Sequence, residues 1–336
     1  MGLSLPPALS ARSLHHEKRY LDVNPALGTR PVVPVLSVAP VTIPAPGRVV
    51  DLELRVSAPV TGSSQPVVLL SHNHGPSNLS SWRGYGPLVE VLAACGFVVV
   101  QPTHLDSKVL GLREANVAEA PLYWRSRATD LSYVIDNLDT IEAAVPTLDK
   151  RIDRKRIAAV GHSAGGHTVS LLLGRRLNDP EDGSVVDLSD TRVRAGVILS
   201  GLGRGGDALS EYARENYPFL QTSDFSTMTT PALVVAGDQE AERTNVVGAS
   251  WPEDPYTLSP APKALLTVFG GEHSLGGIVG YGAAETTDED RDRVAAVGAI
   301  VGAYLLTTLG VDDRAWEMAK GELESSPEPQ GRVVDK

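Results

Sequence analysis

The sequence predicts an α/β protein, with a mostly parallel central sheet covered by helices on both faces. Short, almost wholly apolar runs recur along the chain, and helix-length segments with apolar periodicity alternate with them. The composition agrees: 336 residues, 42% hydrophobic and 21% charged, make a globular chain with enough apolar mass for a large core.

Residues 1–30 carry several prolines and no hydrophobic period, and read as an N-terminal arm. Two β-rich runs follow, 32–43 and 49–56, separated by the turn-forming Pro44-Ala45-Pro46-Gly47. Residues 66–70, PVVLL, form the first wholly apolar run, a pattern suited to a strand buried on both faces. Comparable runs lie at 97–100, 156–160, 195–199, 232–236 and 264–269, and the helix-like segments between and after them at 86–94, 127–144, 165–177 and 290–309. Strands alternating with helices imply parallel pairing through crossover connections. The chain therefore reads as one α/β domain over 31–312 and a C-terminal tail over 313–336, polar and proline-containing from Ser325. Two connections, 201–228 and 241–262, are longer than a crossover needs. Their aromatics (Tyr212, Tyr217, Phe219, Phe225, Trp251 and Tyr256) suit equally the walls of a pocket or lid and small satellite cores beneath the loops.

Charge and cysteine usage narrow the function classes. Thirty Lys and Arg against 41 Asp and Glu give a net charge of −11, which disfavours nucleic acid and anionic membrane surfaces as partners. The lone cysteine, Cys95, precludes an intramolecular disulfide and sits in an apolar stretch as a structural thiol. The most hydrophobic segment, 294–306, is about 13 residues long, short of the roughly 20 that span a bilayer. Val294, Val297, Val301, Tyr304 and Leu305 fall on one helical face, as in a helix docked on a core. With no signal-peptide pattern at the start, the expectation is a cytoplasmic protein without membrane insertion. Nothing in the sequence indicates its oligomeric state.

Gly161-His162-Ser163-Ala164-Gly165 carries the chemistry. It matches G-x-S-x-G, follows an apolar strand-like run and precedes a helix-like segment, the strand–turn–helix context of a nucleophile elbow. Such a serine sits on strained backbone between glycines, where side chains would clash. Its hydroxyl needs a base. Of the eight histidines only His273 lies beyond the elbow and its helix, in the loop just after the 264–269 run. The acid has two candidates, Asp238 and Glu240, in the Gly237-Asp238-Gln239-Glu240 segment after the 232–236 run.

GHSAGG, GDQE and GGEHS, each after a strand-like run, resemble the α/β-hydrolase superfamily. The upstream block LLSHNHGPSN … LVEVLAACGFVVVQPTHLDS is similar to its chlorophyllase, dienelactone-hydrolase-like and platelet-activating-factor-acetylhydrolase-like branch. The resemblance extends over residues 49–309 and implies the α/β-hydrolase fold, with loop insertions near the active site. It also implies an oxyanion hole built from the N–H groups of His74, in Ser71-His72-Asn73-His74-Gly75, and of Ala164. Asn73 stands where the branch has glycine; asparagine is the residue after glycine that best tolerates a left-handed backbone. Relatives of chlorophyllase carry the acid after the preceding strand, where this chain has Ser200, which leaves Asp238 and Glu240 as the pair to choose from.

The activity implied is that of a serine carboxylic-ester hydrolase working through an acyl-enzyme on a small-molecule ester, without a cofactor. A lactonase or acyltransferase would use the same triad. A non-catalytic ligand-binding protein of this fold is the alternative from another class. His72 and His74 have no further ligand cluster beside them, so no metal is expected. Thr103, His104 and Asp106 fall near the sheet's carboxyl edge, and Trp124 lies at a helix entry before Arg125 and Arg127; such clusters suit a structural hydrogen-bond network better than substrate contacts, and residues 105–122 suit a flap or an ordinary surface loop.

Overall fold

A computed structural model describes residues 33–76, 83–117 and 119–336. The expected arm over 1–30 lies outside the described residues.

The chain opens with two antiparallel strands, β1 (Val35–Ile43) and β2 (Leu52–Pro59). It continues through β3 (Gln65–Ser71), α1 (Gly86–Ala94), β4 (Val98–Pro102), α2 (Trp124–Asp136), α3 (Leu138–Ala144), β5 (Ile152–His162) and α4 (Ala164–Leu172). A small ribbon, β6 (Leu177–Asn178) and β7 (Val185–Val186), precedes β8 (Val193–Leu199). Then come α5 (Glu211–Asn216), β9 (Ala232–Gly237), α6 (Asp254–Thr257), β10 (Lys263–Val268), α7 (Arg291–Thr308), α8 (Ala315–Ser325) and β11 (Gly331–Asp335). Nine strands form one sheet in the order β1-β2-β4-β3-β5-β8-β9-β10-β11. The six from β4 to β10 in that order run parallel, and the strands at either side of them pair antiparallel.

Alternation along the central strands explains why their runs are almost wholly apolar. Val68 and Leu70 of β3, Val99 of β4 and Ala158 and Val160 of β5 join one core, under α1, α7 and α8. Their neighbours Val67, Leu69, Val98, Val100, Ile157 and Ala159 join a second core, under α2, α3 and α4. A period of two on a sheet covered on both faces makes every position apolar. The apolar face expected of α7 is buried, with Gly298, Ala299, Ile300, Gly302 and Ala303 buried too. No helix among the described residues is long and apolar enough to cross a membrane.

Several boundaries differ from expectation. The helix expected over 127–144 is two helices divided at Asn137, whose φ of −109° and ψ of 17° leave the helical region and whose side chain donates to the Tyr133 carbonyl at 2.9 Å. The expected C-terminal tail is instead a helix and a strand. Trp316 of α8 packs edge-on to Tyr304 of α7 at 5.2 Å, and Ala319 and Leu323 join the first core. β11 pairs antiparallel with β10, Gly331 opposite Val268 and Asp335 opposite Ala264. As an edge strand, β11 is held by main-chain hydrogen bonds to a strand more than 60 residues earlier in the chain, with Val333 packed on the first core and Asp335 paired with Lys320 at 2.7 Å.

Candidate active site

Ser163 stands between the last residue of β5 and the first of α4, with φ 56° and ψ −118°. Positive φ is costly for a serine and persists because the surrounding backbone enforces it. A Cβ on Gly161 would lie 2.1 Å from the Gly165 carbonyl oxygen, and one on Gly165 would lie 2.0 Å from that of Ser71. The two glycines are therefore required by close backbone approach, the first within the turn and the second against the end of β3. The Ser163 N–H donates to the Leu199 carbonyl at 2.9 Å, and the residue is half-buried. The helix that follows leaves its first N–H groups unpaired, and the Ala164 N–H has no acceptor among the described residues.

His273 occupies the loop after β10. Asp288 Oδ2 accepts from the N–H groups of Glu272 and Gly276, each at 2.8 Å, and His162 Nε2 lies 2.7 Å from the His273 carbonyl oxygen. These bonds fix the loop on both sides of the imidazole. His273 Nδ1 is 3.2 Å from Glu240 Oε2 and 3.6 Å from Glu242 Oε1. Burial by itself pushes the imidazole down, but the Glu240 hydrogen bond and charge, followed by Glu242 and Asp288, outweigh it and raise its pKa.

The two candidate acids have separate places. Glu240 is buried beside His273, its other oxygen accepting from the Ser200 hydroxyl at 2.5 Å and the Gly237 N–H at 3.1 Å. Asp238 is exposed and accepts from the Gly270 N–H at 2.8 Å, closing the turn that leads to the histidine loop. Sequence reasoning missed Ser200 as a partner of Glu240. A signal was there: it follows β8, the parallel neighbour of β9, so the residues just past the two strands adjoin.

A buried charge network underlies the loop after β3. The Arg127 guanidinium donates to Asp106 Oδ1, to the His72 carbonyl and, at 3.1 Å, to Thr168 Oγ1. Asp106 Oδ2 lies 2.8 Å from His74 Nδ1. Burial favours a protonated Asp106, but Arg127 above all, then His74 and His72, hold it well below the usual carboxylate range. Deeper still, His104 Nδ1 meets Asp130 Oδ2 at 2.8 Å, Asp130 Oδ1 accepts from Arg48 at 3.0 Å, and His104 Nε2 is 3.0 Å from the Ser71 hydroxyl. His104 and Asp106 therefore hold the frame of the loop.

The loop itself differs from expectation at Asn73, which is not among the residues of positive φ. Its backbone is held by partners instead: the N–H donates to the Tyr85 hydroxyl at 2.8 Å, and the carbonyl lies 2.7 Å from His72 Nδ1. The His74 N–H has no acceptor among the described residues. His72 and His74 turn to different neighbours, and no group of three or more His, Cys, Asp or Glu able to hold a metal occurs among the described residues.

Over the elbow, the two long connections dock on each other. The Val246 N–H donates to Ala208, the Ser210 N–H to Thr244, and Arg204 pairs with Asp254 at 2.7 Å. The buried Arg175 guanidinium donates to the Leu202 and Gly203 carbonyls at 2.9 and 3.0 Å. Beneath them Trp124, Phe219, Leu220 and Trp251 form a third core with Ala164 and Leu171, Trp124 stacking on Phe219 at 5.3 Å. Of the aromatics in these connections, Phe219 and Trp251 are satellite core, Phe225 belongs to the second main core, and Tyr212, Tyr217 and Tyr256 are partly exposed. In 105–122, Leu105, Asp106 and Ser107 are buried and Arg113 donates to the Asp106 carbonyl at 2.6 Å, which anchors the start of the segment.

Neither a protein-family model nor a curated protein matches the sequence.

Proposed function

We propose that the protein is a serine carboxylic-ester hydrolase of the α/β-hydrolase fold. The carrying observation is the strained Ser163 at a strand–helix elbow together with a loop histidine whose Nδ1 faces the buried Glu240. Elbow after β5, acid after β9 and histidine after β10 follow the superfamily's order of nucleophile, acid and histidine.

In this reading His273 Nε2 takes the Ser163 proton as the hydroxyl attacks an ester carbonyl, while Glu240 orients the imidazole and stabilises its charged form. The N–H groups of His74 and Ala164 receive the developing oxyanion, each worth about 3–4 kcal/mol in comparable sites. His273 then protonates the leaving alcohol, and water repeats the sequence to release the acid. The chemistry needs no cofactor. A net charge of −11 and a single cysteine support a cytoplasmic enzyme that prefers neutral esters to anionic ones.

The test is hydrolysis of p-nitrophenyl acetate through decanoate. Ser163→Ala and His273→Ala should each lower kcat by roughly 10⁴–10⁶-fold, and the chain-length preference should report the depth of the acyl site. A wild-type protein with no turnover, no acyl-enzyme burst and no reaction with a fluorophosphonate would overturn the reading in favour of a ligand-binding protein. Transfer of the acyl group to added alcohols in preference to water would redirect it to an acyltransferase.

A further inference from the structure

We propose that Tyr85 and His162 are positioning residues, forming a buried hydrogen-bonded strut that sets the separation between the oxyanion loop and the base. The proposal rests on the ester-hydrolase reading of the same site.

The strut is continuous. The Asn73 N–H meets the Tyr85 hydroxyl at 2.8 Å, that hydroxyl meets His162 Nδ1 at 2.9 Å, and His162 Nε2 meets the His273 carbonyl at 2.7 Å. Its direction is forced from both ends, because a backbone N–H can only donate and a carbonyl oxygen can only accept. The phenol oxygen therefore accepts from Asn73 and sends its proton to Nδ1. His162 must then carry its own proton on Nε2 and donate it to His273. Tyr85 thus selects the one neutral tautomer of His162 that can hold the histidine loop.

The setting supports the assignment. Tyr85 is fully buried, His162 is 1% exposed, and bonds aligned head to tail in such surroundings polarise one another. A protonated His162 would offer two donors and leave the phenol proton without an acceptor. Burial, followed by the neighbouring His273, pushes its pKa down to about 3, so the strut stays intact at any pH suited to the reaction. Tyr85 itself sits before α1 in a left-handed conformation, φ 64°, with its N–H donating to the Val279 carbonyl at 2.8 Å. A tyrosine held there against its backbone preference is over-determined by its surroundings. One end of the strut is the residue preceding His74, the other is His273, and its middle is the residue before Ser163. Displacing one loop against the other by about an ångström costs a hydrolase up to a hundredfold in rate.

The experiment compares wild type, Ser163→Ala, Tyr85→Phe, His162→Gln and the double variant Tyr85→Phe/His162→Gln on p-nitrophenyl butyrate, with a thermal melt of each. Tyr85→Phe keeps the ring and removes the link. Glutamine places an amide N–H where His162 Nε2 stood, so it retains the donor to His273 while losing the acceptor for Tyr85. Tyr85→Phe should lower kcat about 10- to 100-fold with KM within about twofold, and His162→Gln should lose less. The double variant should be no slower than Tyr85→Phe alone, because both changes break one chain. Tyr85→Phe within about twofold of wild type, or losses that multiply in the double variant, would overturn the strut. If Ser163→Ala abolishes turnover while Tyr85→Phe does not change it, only the strut fails. If Ser163→Ala turns over like wild type, or wild type is inert, the hydrolase reading fails and the strut with it.

Discussion

His273–Glu240 and His104–Asp130 are the same chemical pair, an imidazole Nδ1 against a carboxylate, at 3.2 and 2.8 Å. They differ in what lies around them. The His104 side chain has no exposed surface, its Nε2 is engaged by the Ser71 hydroxyl, and its neighbours include two guanidinium groups. Burial first, then Arg127 and Arg48, pushes it well below the ordinary histidine value in spite of Asp106. His273 keeps about a fifth of its side chain exposed, and the charged groups that raise it are the carboxylates of Glu240, Glu242 and Asp288. No described residue hydrogen-bonds its Nε2. His104 is thus held neutral, whereas His273 takes up a proton more readily. The surroundings decide this, through desolvation and the sign of the nearest charges.

Five substitutions and a pH profile bear on that contrast, beginning with the largest expected effect. Glu240→Gln should lower kcat by roughly 10³–10⁴-fold, since a neutral amide cannot stabilise the imidazolium. Asp238→Asn, which alters only the turn at Gly270, should stay near wild type; a collapse there instead would transfer the role of the acid to Asp238. On the His104 side, Arg127→Met leaves the Asp106 carboxylate buried without its main cation. It should lower the unfolding free energy by about 3–5 kcal/mol in urea titration, and a loss below about 1 kcal/mol would show that the network does not hold the loop.

Ser200→Ala removes one of the two hydrogen bonds on Glu240 Oε1. A fall in kcat of about tenfold with KM unchanged is expected for one bond to a buried charge, and a change in KM alone would contradict a role through the acid. The smallest effect is on pH dependence. In the proposed mechanism His273 must be neutral to act as base, and its pKa is raised, so kcat/KM should climb through a pKa above the ordinary 6.5 and Glu242→Gln should move that climb to lower pH. The deeply buried histidines carry the opposite sign. His72, His104, His162 and His167 all have lowered pKa values in the fold. The unfolded chain therefore binds more protons below 6.5, and stability should decline as pH falls through that value. A stability profile flat between pH 7 and 5 would contradict their neutrality.

The apolar runs of the sheet, the helices between them and the elbow around Ser163 were legible from local sequence because each depends on neighbours in the chain. Alternation writes a doubly covered strand into a few consecutive residues, and the glycines at 161 and 165 answer to a clash within one turn and to the adjacent strand end. His273 was reachable by its position after a strand. The sequence left Asp238 and Glu240 equal, since both follow β9 within a few residues; only the approach of the histidine loop brings one beside the imidazole and uses the other for the turn. Ser200 against Glu240, Tyr85 between Asn73 and His162, and β11 on β10 lie 40, 12, 77 and more than 60 residues apart along the chain. Such contacts leave no local period. The sequence by itself therefore determined the layered α/β architecture and the placement of a serine at its elbow. Tertiary structure alone decided which carboxylate faces the histidine and which histidines stay neutral, because hydrogen bonding and desolvation depend on what folding brings within a few ångströms.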